Sequence, residues 1–225
     1  MPMQLEGTSR RLPIYLVMDV SGSMSGAPIE AVNNGLKDFE AAVKSDPHAL
    51  ESAYISVITF ESDAKQIIPL TEAGKFSAPV LDASGGTALG KALQMVGRCL
   101  DNDLKPKGPD HPGDWKPLIF LMTDGEPTDE WQGPARSFRS SQTVRPANLI
   151  AIGCGPYANT GNLRQVSETV LEMKEMTPEK IKSLFEWISQ SAQVASKNAS
   201  LQAAAGAAAG GATLPPPPSG IQIAL

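Results

Sequence analysis

The sequence predicts an α/β fold with a mostly parallel central sheet and helices on both faces of that sheet. Apolar runs of strand length alternate along the chain with stretches in which apolar residues recur every three or four positions, the spacing of an amphipathic helix. Two of the runs, 12–18 and 118–122, are almost continuously apolar. Such runs are typical of strands that are buried on both faces of a parallel sheet.

The first half of the chain contains a strand–helix unit, a hairpin and a second helix. Pro28 suits the first turn of a helix, and Gly85-Gly86 allows a sharp turn before the next one. The third strand follows the second closely enough to pair antiparallel with it at the edge of the sheet. In chain order, the predicted elements are a strand over 12–18, a helix over 28–44, strands over 53–61 and 65–70, and a helix that begins at 87.

The second half repeats the alternation of strands and helices. Thr177 and Pro178 form a helix start, with an N-cap residue followed by proline in the first turn. The predicted elements are strands over 118–122, 147–152 and 170–173, and helices over 133–142, 162–167 and 177–196.

The domain is predicted to cover residues 12–196, between two segments of different composition. Residues 1–11 are polar and form a predicted N-terminal extension. Residues 197–225 contain an Ala/Gly run and a proline stretch, neither of which supplies a packing pattern, and they are interpreted as a flexible tail. The apolar end, 221–225, is either a docking peptide or disordered.

Composition narrows the classes of partner. A formal net charge of −5 argues against general nucleic-acid binding, which requires a basic face. No apolar run approaches the roughly 18 residues of a membrane span, and no basic region followed by an apolar core marks a signal peptide. The expected compartment is the cytoplasm. Cys99 and Cys154 form no C-x-x-C motif, so they are expected to be buried thiols or to form a disulfide with each other.

Oxygen-bearing side chains follow the first and fourth predicted strands and open the helix between them. Asp19, Ser21 and Ser23 follow the first strand, Thr87 follows the glycine pair, and Asp124 follows the fourth strand. In a doubly wound sheet these two strands are neighbours, and ligands bind in the crevice beyond their carboxyl ends. Hard cations such as Mg²⁺ bind oxygen ligands. The sequence therefore predicts a site for Mg²⁺ or Mn²⁺ formed by these five residues.

The same pattern resembles the metal-ion-dependent adhesion site of the von Willebrand factor A domain over about residues 10–195. This resemblance implies a three-layer, Rossmann-like fold with strand order 3-2-1-4-5-6 and one antiparallel edge strand. It also implies that Ser21, Ser23 and Thr87 bind the metal directly, whereas Asp19 and Asp124 act largely through water. The function it implies is protein binding, in which a partner's Glu or Asp completes the coordination of the metal.

Among such proteins, the chain is similar to bacterial TerY-type proteins of tellurium-resistance and stress-response systems. The similarity rests on the segments Asp-Val-Ser-Gly-Ser-Met-Ser-Gly, Pro-Ile-Glu-Ala-Val-Asn, Val-Ile-Thr-Phe and Thr-Asp-Gly-Glu-Pro-Thr-Asp. It implies a cytoplasmic bacterial protein that works with other components, in some systems a protein kinase and a phosphatase. The side chains expected to contact a partner around the metal are Met24, Ser25, Glu61, Ser62, Glu126, Thr128 and Trp131. Trp131 is either such a contact or a side chain partly buried against its own helix.

The alternative is a Mg²⁺-dependent phosphohydrolase or phosphotransferase, because an Asp after the first strand also occurs in enzymes that form an aspartyl-phosphate. The corresponding motif in those enzymes is Asp-x-Asp, whose second Asp serves as the acid or base. In this chain Ser21 occupies the position of that second carboxylate. His48 and His111 both adjoin prolines and are expected to be exposed structural residues. The chain is therefore not expected to be an enzyme.

Overall fold

The computed structural model describes residues 10–109, 112–141, 147–204 and 214–224. The strands are β1 (Leu12–Asp19), β2 (Ala53–Phe60), β3 (Ala64–Glu72), β4 (Leu118–Thr123), β5 (Asn148–Cys154), β6 (Thr169–Met173) and β7 (Gln222–Ile223). The helices are α1 (Ala27–Ser45), α2 (Pro47–Ser52), α3 (Leu89–Asp103), α4 (Gln132–Ser140), α5 (Thr160–Arg164) and α6 (Pro178–Ala204). Gly22–Met24 and Ala73–Lys75 form single 3₁₀ turns.

The described strands form one mixed sheet in the order β3-β2-β1-β4-β5-β6-β7. Strand β1 lies at the centre and runs parallel to both β2 and β4, and β5 and β6 continue the parallel set. Strand β3 pairs antiparallel with β2 at one edge. The predicted fold and its strand order are therefore confirmed, and β7 adds a second antiparallel strand at the other edge.

The continuous apolar character of β1 follows from its position between two hydrophobic cores. Every residue of the strand is buried. Ile14 and Leu16 belong to the core formed with α1 and α6, whereas Tyr15 and Val17 belong to the core formed with α3 and α4. A strand in this position exposes neither face to water, and so it has no polar–apolar alternation.

The segment that follows α1 contains a short helix that the sequence pattern did not reveal. The sequence pattern predicts no element between the helix that ends at 44 and the strand that begins at 53, but α2 begins at Pro47. The Asp46 carboxylate accepts a hydrogen bond from the Ala49 backbone N–H at 2.8 Å and so caps this helix.

The predicted end of the domain at 196, and the flexible tail after it, are wrong for the residues that the structure describes. Helix α6 continues to Ala204, because Ala195 and Ala199 are buried on its inner face. Residues 214–224 return to the domain and end in β7. The intervening residues 205–213 lie outside the described ranges. None of the helices described here is long and apolar enough to cross a bilayer.

Both cysteines are free and buried. The expectation that they are buried thiols is therefore correct, and the alternative of a disulfide between them is not. Burial raises the pKa of Cys99 to about 11, and it raises the pKa of Cys154 further. We therefore expect neither thiol to react with a chromogenic thiol reagent in the native protein at about pH 8, whereas both should react once the chain is unfolded in denaturant. Rapid labelling of the native protein would contradict the described packing.

Candidate metal centre

Three loops meet at the carboxyl ends of β1 and β4. The loop after β1 is tied to the loop before α3, since the Gly22 N–H donates to the Gly85 carbonyl at 3.1 Å and the Ser84 N–H donates to the Val20 carbonyl at 2.8 Å. Gly85 has a φ of +72°, and a Cβ there would overlap the Glu61 carboxylate. This position therefore requires glycine.

Asp19 is fully buried at the end of β1 and has both carboxylate oxygens fixed. Its Oδ1 accepts a hydrogen bond from the Ser21 backbone N–H at 2.8 Å. Its Oδ2 accepts one from Thr123 Oγ1 at 2.5 Å. The carboxylate is consequently held in one orientation by the loop after its own strand and by the last residue of β4.

A chain of hydroxyls links this loop to Asp124. The Ser21 and Ser23 hydroxyl oxygens lie 3.0 Å apart, and Ser23 Oγ donates to Asp124 Oδ1 at 2.8 Å. Ser21 is buried, whereas Ser23 is exposed. The hydroxyl chain thus leads from the interior of the site to the protein surface.

Thr87 reaches the same place from the loop before α3. Its N–H donates to Thr128 Oγ1 at 3.0 Å, and its carbonyl accepts from the Thr128 N–H at 2.9 Å. A Cβ built on Gly125 would lie 3.4 Å from Thr87 Oγ1, so this hydroxyl faces the residue that follows Asp124. The structure therefore brings all five sequence-predicted residues to one edge of the sheet.

The two carboxylates of the site are buried. Burial raises the pKa of Asp19 and of Asp124, although the hydrogen bonds from Thr123 and from the serines oppose this effect. Neither carboxylate forms an ion pair within the described part of the chain. Two partly desolvated carboxylates without a counter-charge are an environment that a bound cation stabilises.

The donor set fits a hard divalent cation. It consists of three hydroxyl and two carboxylate side chains, and oxygen ligands of this kind suit Mg²⁺ and Mn²⁺. In the described ranges, no three His, Cys, Asp or Glu side chains cluster in the way of a typical structural zinc site.

Several residues that support the site were not assigned this role from the sequence. Thr123 binds Asp19, and Thr128 binds the Thr87 backbone. Asp129 accepts hydrogen bonds from the Gly90 and Lys91 N–H groups, both at 3.1 Å, and so caps α3 behind Thr87. All three belong to the segment Thr-Asp-Gly-Glu-Pro-Thr-Asp, whose hydroxyls and second carboxylate were the available signal.

The predicted partner-contacting residues divide into exposed and buried ones. Ser25, Ser62, Glu126 and Thr128 are exposed and Glu61 is half-buried, as a contact surface requires. Met24 is buried in one core, so the prediction that it contacts a partner is wrong. Trp131 is buried in the other core, so of the two expectations for it burial is correct. Their large apolar side chains are packed beneath the loops that carry them. Tyr157, in the loop after β5, is 79% exposed.

The Thr128 hydroxyl offers a direct test of how Thr87 is positioned. We expect Thr128→Val to lower Mn²⁺ affinity about 10–100-fold, the usual cost of losing a residue that orients a ligand, because the Thr87 N–H then lacks its acceptor. Thr128→Ser keeps the hydroxyl and is the matched control, with affinity close to that of the wild type. Calorimetric titration measures both, and equal affinities of the Val and Ser variants would refute this role.

The sequence matches the model of a known domain family. Residues 14–186 match the von Willebrand factor type A domain, and the chain belongs to this family. Domains of this family are often metal-dependent protein-interaction modules.

The individual proteins that are similar to this chain either have a low sequence identity to it or match it over only part of their length. The chain is 36% identical over 124 residues to the uncharacterized protein sll0103 of Synechocystis sp., a match that covers 52% of this chain but only 26% of that protein. A von Willebrand factor type A structure from Catenulispora acidiphila is similar with a TM-score of 0.58 and 19% identity, over 83% of this chain and 43% of the other.

A third similar structure is proximal thread matrix protein 1 from the mussel byssus, whose metal-ion-dependent adhesion site is occupied by zinc. It matches with a TM-score of 0.56 and 18% identity, over 81% of this chain and 48% of the mussel protein. At this level of identity the two solved structures show the shared fold.

Proposed function

We propose that this chain is a metal-dependent protein-binding module whose Mg²⁺ ion binds an acidic side chain of a partner protein. Ser21, Ser23 and Thr87 would hold the ion directly, and Asp19 and Asp124 largely through water. The observation that carries this proposal is the hydrogen-bonded chain from Ser21 through Ser23 to Asp124, beside a buried Asp19 that forms no ion pair with any residue that the structure describes. Mn²⁺ fits the same donor set.

The chemistry of the ligands favours an acidic partner. Hydroxyl ligands are neutral and neutralise a divalent cation poorly, so the ion retains affinity for an anionic oxygen from outside. Ser23 is exposed, which puts the partner side of the site at the surface. When bound, the ion supplies the positive charge that lets this otherwise acidic edge attract a carboxylate.

Hydrogen bonds fix exposed polar side chains in the loops around the site, and these side chains form a defined surface for a partner. Asn159 Nδ2 and Asn162 Nδ2 donate to the two carboxylate oxygens of Glu126, both at 2.8 Å. The Ser62 hydroxyl accepts a hydrogen bond from the Gly86 N–H at 3.0 Å. These contacts hold exposed polar groups in fixed positions on both sides of the site.

We favour binding over catalysis because the residue two positions after Asp19 is a serine and not a carboxylate. Ser21 occupies the position where a phosphotransferase of the aspartyl-phosphate type needs a second carboxylate. His48 lies in α2, which leads into the start of β2. Because β2 runs parallel to β1, this start lies at the opposite end of the strands from Asp19. A phosphohydrolase would instead turn over a generic phosphoester with Mg²⁺ and lose that activity in an Asp19 variant.

We also propose that the module works in the cytoplasm of a bacterium, in a tellurium-resistance or stress-response system. The support for this is the similarity of its four sequence segments to TerY-type proteins. Kinase and phosphatase components of the same system are then the first partners to examine, each for an exposed acidic residue that reaches the metal.

The experiment is a capture assay from bacterial lysate with the immobilised chain. Three conditions are compared: Mg²⁺, EDTA, and EDTA followed by excess Mg²⁺. We expect mass spectrometry to identify proteins that are retained with Mg²⁺, released by EDTA and recovered when Mg²⁺ is restored. Identical sets of retained proteins under all three conditions would refute metal-dependent binding.

A further inference from the structure

The C-terminal segment, residues 214–224, is seated on the domain through a proline run and a turn. Trp187 Nε1 donates a hydrogen bond to the Pro215 carbonyl at 3.0 Å. The chain then turns, with the Ile221 N–H bonded to the Pro218 carbonyl at 3.1 Å and with Gly220 at a φ of +86°. Glycine at this position is what a type II turn requires.

After the turn, the segment pairs with the open edge of β6. Ile223 lies opposite Leu171 and Gln222 lies opposite Glu172, in antiparallel register. The Ala224 N–H donates to the Val170 carbonyl at 2.8 Å. Two common modes of recognising an extended peptide therefore occur side by side. One is main-chain pairing with a strand, and the other is the contact of an aromatic side chain with a proline-rich stretch.

The segment fills this place incompletely. Only two of the five residues of β6 have a paired residue in β7. Ile221 is buried, but Ile223 is 57% exposed. The proline run lines a cavity of about 1000 Å³ together with Trp187 and the beginnings of β5 and β6.

We propose that the β6 edge and Trp187 form a docking site for an extended, proline-rich segment of a partner protein, which the C-terminal segment occupies in cis. The partner segment would present a prolyl carbonyl to Trp187, place a branched apolar side chain where Ile221 lies, and pair antiparallel with β6. A partner strand that pairs with all five β6 residues would make more main-chain hydrogen bonds than β7 does. This interaction is separate from the metal centre, since β5 lies between β6 and β4.

A second copy of this chain is the less favoured occupant. Residues 205–213 tether the segment to α6, and a short tether gives it an effective concentration on the order of mM. An identical segment from another copy makes the same contacts without that advantage. Only an occupant that makes additional contacts, such as a longer partner strand, displaces the tethered segment at ordinary protein concentrations.

The test uses the full chain and a fluorescent synthetic peptide with the sequence of residues 214–225. Ile221→Asp places a charge at a buried position and is expected to release the tethered segment, whereas Ile223→Asp is the matched control at an exposed position. We expect the Ile221 variant to bind the peptide at least about tenfold more tightly than the wild type or the Ile223 variant, because the tethered competitor is gone. Adding Trp187→Phe should weaken that binding, and EDTA should not change it.

The outcomes of the peptide titration, of circular dichroism and of light scattering decide the test. Peptide affinity that is the same in all variants would overturn the proposal. Unfolding of the Ile221 variant, seen by circular dichroism, would overturn it as well, because the segment would then be an integral part of the fold. Concentration-dependent dimers of the wild type in light scattering would identify a second copy as the occupant and overturn the assignment to a partner. Peptide binding is expected not to require the metal, so none of these results affects the proposed metal-dependent function.

Discussion

Asp19→Ala is expected to abolish Mg²⁺ binding and Mg²⁺-dependent partner capture while leaving the fold intact. The substitution removes a buried carboxylate that is fixed by Ser21 and Thr123 and that forms no ion pair among the described residues. In the wild type, Mg²⁺ at 100 times its dissociation constant should stabilise the fold by about 2.7 kcal/mol, a rise in melting temperature of roughly 5–10 °C for a domain of this size. The variant should show no such rise.

The controls separate loss of the site from a general effect on the loops. Thr87→Ala should behave like Asp19→Ala, since it removes a hydroxyl that faces the same site from the loop before α3. Ser25→Ala alters an exposed serine just outside the site and should retain the full Mg²⁺ response. An unchanged Mg²⁺-dependent melting temperature in the Asp19 variant would rule out this residue as part of a metal site.

Metal affinity should also depend on pH in a defined direction. Burial raises the pKa of Asp19 and of Asp124, so the folded, metal-free chain binds these protons more tightly than the unfolded chain does. The stability that these two groups contribute is therefore fully present below the ordinary Asp pKa of about 3.9 and is lost as the pH rises through their raised folded values. Mg²⁺ competes with the same protons, and its affinity should rise across that window.

This pH dependence can be measured by Mg²⁺ titration calorimetry between about pH 4 and about pH 7. Stability measurements without metal on the wild type and on Asp19→Asn isolate the part that belongs to Asp19, because the Asn side chain does not titrate. A Mg²⁺ affinity that stays constant across the window would contradict the described burial of the two carboxylates.

Gly35→Ala is expected to destabilise the fold by about 1–3 kcal/mol, the usual cost of overfilling a packed core. Gly35 lies on the face of α1 that packs against α6, and a Cβ there would overlap the ring of Phe185. Phe185 is fully buried and has no room to move away. The clash should outweigh the roughly 1 kcal/mol by which alanine favours a helix over glycine.

The same substitution in α3 is the matched control. A Cβ on Gly97 would meet its nearest neighbour, the Phe138 ring, only at 4.0 Å, an ordinary van der Waals contact. Gly97→Ala should therefore be neutral or should stabilise the fold by up to about 1 kcal/mol. Urea unfolding compares the two variants directly, and equal stabilities would show that close packing of α1 on α6 does not require glycine at position 35.

The central sheet was predictable, and five candidate metal ligands could be selected, because both signals are local. Strand β1 is uniformly apolar, and the residues of the site follow strands or a glycine turn in the sequence itself. The topology then brings them together, since β1 and β4 are neighbours in the sheet.

The features that were missed depend on distant contacts. Strand β7 has only two residues and is defined by its pairing with β6. The burial of Met24 depends on the packing of its loop over the core, which its position in the sequence does not reveal. The role of Thr128 likewise exists only because its loop contacts Thr87.

The most direct test of the metal centre is a crystal structure of the full chain grown with Mn²⁺, with anomalous diffraction measured to locate the ion. We expect one anomalous peak at the carboxyl ends of β1 and β4, within ligand distance of the Ser21, Ser23 and Thr87 hydroxyls and with Asp19 and Asp124 reaching it largely through water. Well-diffracting crystals without a peak at this site, or with Mn²⁺ bound only elsewhere, would contradict the account.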